Sequence, residues 1–205
     1  MISISTRYCI IVVKSEKAAN RVMESVTKFI EKKLGLKVNV TKSKVTRPRN
    51  IKYLGFGFYT NNSGTWRPKP HIKSIQKFKR TLKQLTKRNV SISLDNRIVR
   101  INQVIRGWIN YFKICDMKKH MRDIGEHLRR RIRMIIWKQW KTCKHRIICL
   151  KKLGISENEA KKLAYSRKSY WNNSMTPTLN IAISNKRLKQ KGLVFPLDHY
   201  LKVHI

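Results

Sequence analysis

The chain has 205 residues, 41% of them apolar, with 48 Lys plus Arg against 10 Asp plus Glu, for a formal net charge of +38. The apolar share supports a packed core and excludes a disordered basic tail, and no run approaches the ~18 apolar residues of a bilayer span. Ile10–Val13 is too short for a signal-peptide core, and the four scattered cysteines (Cys9, Cys115, Cys143, Cys149) suit reduced thiols, so the expected location is the cytoplasm.

The charge is unevenly answered. No acidic residue falls between Glu31 and Asp95. Such a charge resists compaction unless a polyanion answers it, and RNA or DNA is the stiffest common one. The expected partner is therefore nucleic acid, not a membrane.

In chain order, Arg7 to Val13 reads as a buried strand. Ser15 then caps a helix carrying Ala19, Val22, Val26, Phe29 and Ile30, closed by Gly35. Val38 to Val40 alternates like a strand, Ile51 to Tyr59 is a second one, and Asn61-Asn62-Ser63-Gly64 is a turn. Trp66-Arg67-Pro68-Lys69-Pro70-His71 reads as a hinge. Three amphipathic helices follow. Ile72, Ile75, Phe78, Leu82 and Leu85 mark the first, to about Lys87. Leu94, Ile98, Ile101, Ile105, Trp108 and Phe112 mark the second, from Ser93. Met117, Met121, Ile124, Leu128, Ile132 and Ile135 mark the third, to about Trp140. Ser156 and Glu159 form a capping box for a helix to about Ser166, and a last helix is expected over Leu179 to Lys191. The expected fold class is mainly α: a small α+β segment, a three-helix bundle and a short helical C-terminal region.

Cations and aromatics interleave along these helices. Trp108 and Phe112 share the apolar face of the second and read first as core. Arg100, Arg106, Asn110 and Tyr111 fall on its other faces, where Arg106 suits phosphate and Tyr111 an unpaired base. The third carries Arg129, Arg130, Arg131 and Arg133, four arginines in five positions, with no acid between Glu126 and Lys141. Lys138 and Lys141 extend the run beside Trp137 and Trp140. Lys69, Lys73 and Lys77 line the entry to the bundle. Arg167 and Lys168 precede Trp171, which fits a packed helix end equally well. Cys143, His145 and Cys149 lack a fourth zinc ligand, and neither a phosphate-binding glycine loop nor a hydrolase triad is present, so no metal and no catalytic residue is assigned.

These residues in this order resemble the group II intron-encoded reverse transcriptases. Tyr8, its apolar strand and Lys14-Ser15-Glu16-Lys17-Ala18-Ala19 resemble the end of the palm. Lys52-Tyr53-Leu54-Gly55-Phe56 resembles the hairpin near the primer grip. Ile105-Arg106-Gly107-Trp108-Ile109-Asn110-Tyr111-Phe112 and Ile136-Trp137-Lys138-Gln139-Trp140-Lys141 resemble the maturase-specific thumb. Lys152-Leu153-Gly154-Ile155, Ser166 through Trp171, and Leu179-Asn180-Ile181-Ala182 resemble the DNA-binding region of bacterial members. The resemblance implies a palm remnant over 1–66, a thumb over 67–142 and a DNA-binding-like region over 143–205. It makes Tyr53, Leu54, Gly55, Phe56, Gly107, Trp108, Phe112, Trp137, Trp140 and Trp171 motif residues with structural roles.

The departure from the family lies beside Tyr8. The family's Tyr-Ala-Asp-Asp supplies carboxylates for magnesium, whereas Cys9-Ile10-Ile11-Val12-Val13 follows Tyr8 here, and the first acid is Glu16. The chain reads as a C-terminal remnant that needs no cofactor of its own, although the full-length family uses Mg²⁺. The leading expectation is a non-polymerising RNA-binding protein that assists intron splicing, with intron RNA as partner and target DNA as a second candidate. Two alternatives stand beside it. One is a polymerase fragment completed by a separate upstream reverse transcriptase chain. The other is a decayed remnant or generic basic binder.

Overall fold

A computed structural model describes residues 2–5 and 8–204, with side chains from Cys9 onward. It is mainly helical with small antiparallel hairpins. Its contacts form two compact units, 1–51 and 52–205.

In the first unit β1 (Ile2–Ser5) pairs antiparallel with β2 (Tyr8–Ile11), Ile4 opposite Cys9. The expected strand is shorter than Arg7 to Val13 and is not buried: Cys9 and Val12 are exposed. Arg7 lies outside the described residues. A two-stranded ribbon is too small to cover both faces of its strands. Helix α1 (Glu16–Leu34) starts where expected, the Ser15 hydroxyl accepting from the Ala18 amide at 3.2 Å, and ends at Gly35. The strand expected at Val38–Val40 is absent. Asn39 instead folds its side chain onto the Lys42 amide (3.0 Å) and the Thr41 hydroxyl (2.7 Å), a local turn that competes with extended pairing.

The second unit opens with a hairpin of β3 (Phe56–Thr60) and β4 (Trp66–Pro70), Phe58 opposite Pro68. The expected hinge is therefore a strand. Pro68 and Pro70 cannot donate to a ladder, and a two-strand ribbon has an outward edge where none is needed. Strand β3 begins later than Ile51 because Leu54 (φ 47°) and Gly55 (φ 86°) turn the chain through left-handed geometry.

Three long helices follow: α2 (Ile72–Leu85), α3 (Leu94–Tyr111) and α4 (Lys118–Gln139). Their apolar faces meet in one core, with Ile101, Ile105, Ile109, Met121, Ile132 and Trp137 fully buried. Ser93 caps α3 as expected, its hydroxyl accepting from the Asn96 amide. Ile72 leads the apolar face of α2 yet stands exposed, because the chain has only just left the hairpin.

Shorter helices complete the core: α5 (Cys143–Lys152), α6 (Glu157–Ala164), α7 (Tyr170–Asn173), α8 (Pro177–Ala182), α9 (Asn185–Gln190) and α10 (Pro196–Val203). Ser156 and Glu159 form the expected capping box for α6. The single helix expected over Leu179 to Lys191 is broken at Ile183, and Ser184 caps its second half. Helix α10 lies against α3 and α4. Gly125 of α4 permits this: a Cβ there would meet Pro196 at 3.5 Å and the Arg129 guanidinium at 3.3 Å.

Candidate nucleic-acid interface

The hairpin and α3 build one wall together. Phe56 rests on Tyr111 and Phe112, with ring centroids 5.4 and 4.9 Å away. The Tyr111 hydroxyl donates to the Leu54 carbonyl at 2.8 Å, and Ser74 donates to the Gly55 carbonyl at 2.9 Å. A side chain at Gly55 would meet Ser74 at 3.0 Å and the Phe112 ring at 3.2 Å. Trp108 stacks on Phe78 at 4.4 Å and Phe112 is buried, so both are core aromatics. Tyr111 is half exposed, with its hydroxyl already engaged. Tyr53 bridges to Phe56, and Gly107 is exposed on α3.

Many cations are engaged inside the fold. Arg97 is buried and donates to the carbonyls of Leu85, Lys87 (3.2 Å) and Val90 (2.7 Å). Arg131 donates to Thr86 Oγ1 (2.5 Å) and to the carbonyls of Thr86 (3.0 Å) and Lys83 (3.2 Å). Lys138 donates to the Arg88 carbonyl at 3.0 Å. These three cations close the C-terminal end of α2 and the loop after it, where orphan carbonyls and the helix dipole favour positive charge. Sequence reading missed Arg97, because its carbonyl partners lie in a loop without regular structure.

The arginine run of α4 divides four ways. Arg133 corrects the sequence expectation: it is buried, donating to the Ile183 carbonyl at 2.9 Å and to Asn185 Oδ1 at 2.9 Å. It satisfies an acceptor exposed by the helix break, and Arg187 does the same for Ala182 at 2.6 Å. Arg130 lies 3.5 Å over the Trp171 ring and donates to the Trp171 carbonyl at 3.3 Å. Arg131 caps α2. Arg129 lies 5.0 Å over the Phe195 ring and makes no hydrogen bond among the described residues. Trp137 is buried under Arg146, and Trp140 meets it edge-on at 5.9 Å.

Other candidates face water. Lys69, Lys73, Lys77, Arg100, Arg106, Lys141, Arg167 and Lys168 are exposed. Asn110 is exposed, with Oδ1 3.0 Å from His199 Nε2. Three histidines report the local field. Burial, then Lys52, Lys73 and Lys69, lower the pKa of His71. Burial, then Arg131, Arg130, Lys79 and Lys83, lower that of His127. Burial, then Arg106 and Lys202, lower that of His199. Each sits among cations with no acid in opposition, the surface a phosphate backbone would complement.

One acid ties parts of the scaffold together. Asp116 accepts from the Tyr59 hydroxyl at 2.5 Å and lies 3.7 Å from Arg67 and 3.9 Å from His204, joining the hairpin, the α3–α4 loop and the end of α10. No group of three or more His, Cys, Asp or Glu suited to a metal occurs among the described residues. No described helix is long and apolar enough to cross a membrane.

Residues 75–154, from α2 through α5, match the family described as group II intron, maturase-specific domain. No curated protein matches the chain.

Proposed function

We propose that the chain acts in splicing by gripping intron RNA, without polymerising, because residues 75–154 match the group II intron maturase-specific domain. That match supports a maturase role and association with group II intron RNA. The finer reading assigns the grip to cations left over once the fold has taken its share. Lys73 and Lys77, one turn apart on α2, and Arg100 and Arg106 on α3 are exposed, and their side chains make no hydrogen bond or ion pair among the described residues. Lys69, Lys141, Arg167 and Lys168 extend the same chemistry. Long, mobile cations that do not pair with acids suit phosphates more than base edges.

The carrying observation is this surplus of unpaired exposed charge on and beside the matched residues 75–154. Polymerase inactivity rests on the residues after Tyr8: Cys9 through Val13 offer no carboxylate, and Glu16 stands in the first turn of α1, where the helix dipole favours it. The ribozyme then supplies the chemistry, and the protein steadies its fold.

The direct test is filter binding to a group II intron transcript over a salt series. If about 8 phosphates are neutralised, log K falls against log salt with a slope of roughly −6 to −7. A slope shallower than about −2 overturns an extended backbone grip. Primer extension by the chain alone, with magnesium, should yield no product.

A further inference from the structure

A cleft of about 730 Å³ opens among α4, α9 and α10, within the range of pockets that hold small ligands, roughly 300–1,000 Å³. Its wall carries Arg122, Glu126 and Arg129 from α4, and Lys186, Lys189 and Gln190 from α9. Lys189 is cancelled by Asp198 at 2.5 Å. Arg122 and Lys186 are exposed and have no hydrogen bond or ion pair among the described residues. Arg129 differs from its three arginine neighbours. They have spent donors on carbonyls and side-chain acceptors, whereas Arg129 keeps its whole fork free over the Phe195 face. Burial works against its charge, which the nearby carboxylates of Glu126 and then Asp198 support only in part and without a hydrogen bond. A half-desolvated guanidinium without an acceptor is matched by an anion that takes two parallel hydrogen bonds.

Glu126 selects the kind of anion. It is exposed on the cleft wall and lies beyond ion-pair distance of Arg129. A carboxylate among cations repels phosphate but accepts from a hydroxyl. Ribose offers one at its 2′ position and deoxyribose does not. We infer that the cleft seats one or two nucleotides of an RNA strand. Arg129 holds a phosphodiester, Arg122 and Lys186 hold its neighbours, and Glu126 accepts the 2′-hydroxyl. The inference rests on the RNA-binding reading above and carries it past residue 154, into α9.

The test uses the full chain with two probes: the intron transcript, and ten-residue single-stranded oligoadenylates in ribo and deoxy form. Arg129→Gln should weaken binding to both ribo probes about tenfold and flatten the salt slope by about 1. Arg122→Gln and Lys186→Gln, both at exposed positions, should weaken it less, with unchanged circular dichroism. Glu126→Gln should shrink the preference for the ribo over the deoxy oligomer. If the wild-type chain ignores the transcript, the general reading and the cleft fall together. If it binds while all three cation variants match it in affinity and slope, only the cleft falls. Equal binding of ribo and deoxy oligomers, unmoved by Glu126→Gln, overturns the ribose assignment.

Discussion

Residues 1–51 and 52–205 use the same local grammar to different ends. Helix α1 has a serine cap, an acidic first turn and a basic last turn, and α3 has a serine cap and an acidic first turn. Yet no described residue before Gly57 is buried, whereas α3 buries Ile101, Ile105 and Ile109 completely. Caps and periodicity decide where a helix begins and ends. Only apolar partners distant in sequence decide whether it is held, and a lone helix in water is marginal. The two units should therefore differ in stability far more than in helicity.

Hydrogen exchange gives the broadest test of that contrast. Amides of α3 should exchange only through global opening, while those of α1 exchange through local fraying. Equal protection in both helices would break the comparison. Single truncations sharpen it. Ile105→Ala should cost about 2–5 kcal/mol by denaturant titration. Val26→Ala, on the half-covered face of α1, should stay within about 0.5 kcal/mol, the range of surface changes.

A smaller contrast separates engaged cations from free ones. Arg131→Ala strips Thr86 Oγ1 and two carbonyls of a charged donor, and Thr86 is buried. The loss should be about 1–3 kcal/mol in a melt. Arg100→Ala should leave the melt within about 0.5 kcal/mol and act, if anywhere, on RNA affinity. Equal stability loss in the two variants would show that the division of cations into scaffold and surface is wrong.

That division marks the limit of what the sequence disclosed. The three core helices and their serine caps were legible because apolar spacing and capping chemistry are local. Strand β4 was not, since Pro68 and Pro70 read as breakers unless the edge position of the strand is known. The break at Ile183 was hidden for a similar reason: its exposed carbonyls are answered in part by Arg133, fifty positions earlier. Helices α5 and α10 carried signals that went unread, the Thr142 cap and Pro196 in a first turn. The resemblance in Tyr53 through Phe56 and Arg106 through Phe112 pointed to two motifs but not to their contact. The cleft was beyond reach, because Arg122 and Lys186 come to line one cleft only in the folded chain.

The smallest expected effect is a pH dependence centred on His127. Its imidazole lies 5.4 Å from the Trp171 ring and faces Arg130 and Arg131 on its own helix and Lys79 and Lys83 on α2, with burial the larger influence. All of these lower its pKa below 6.5. The unfolded chain therefore takes up the proton first, and stability rises with pH between the lowered value and 6.5. It should be flat above that window and fall as pH drops through it, with His71 and His199 adding in the same direction. Melts from pH 7.5 to 5.5 would show the slope, and His127→Gln should flatten part of it. RNA sharpens the contrast. Phosphates close to Lys79 and Arg130 would favour the imidazolium, so the bound protein should take up protons and lose less stability in acid. An identical slope with and without intron RNA would place the bound backbone away from the α2–α4 face.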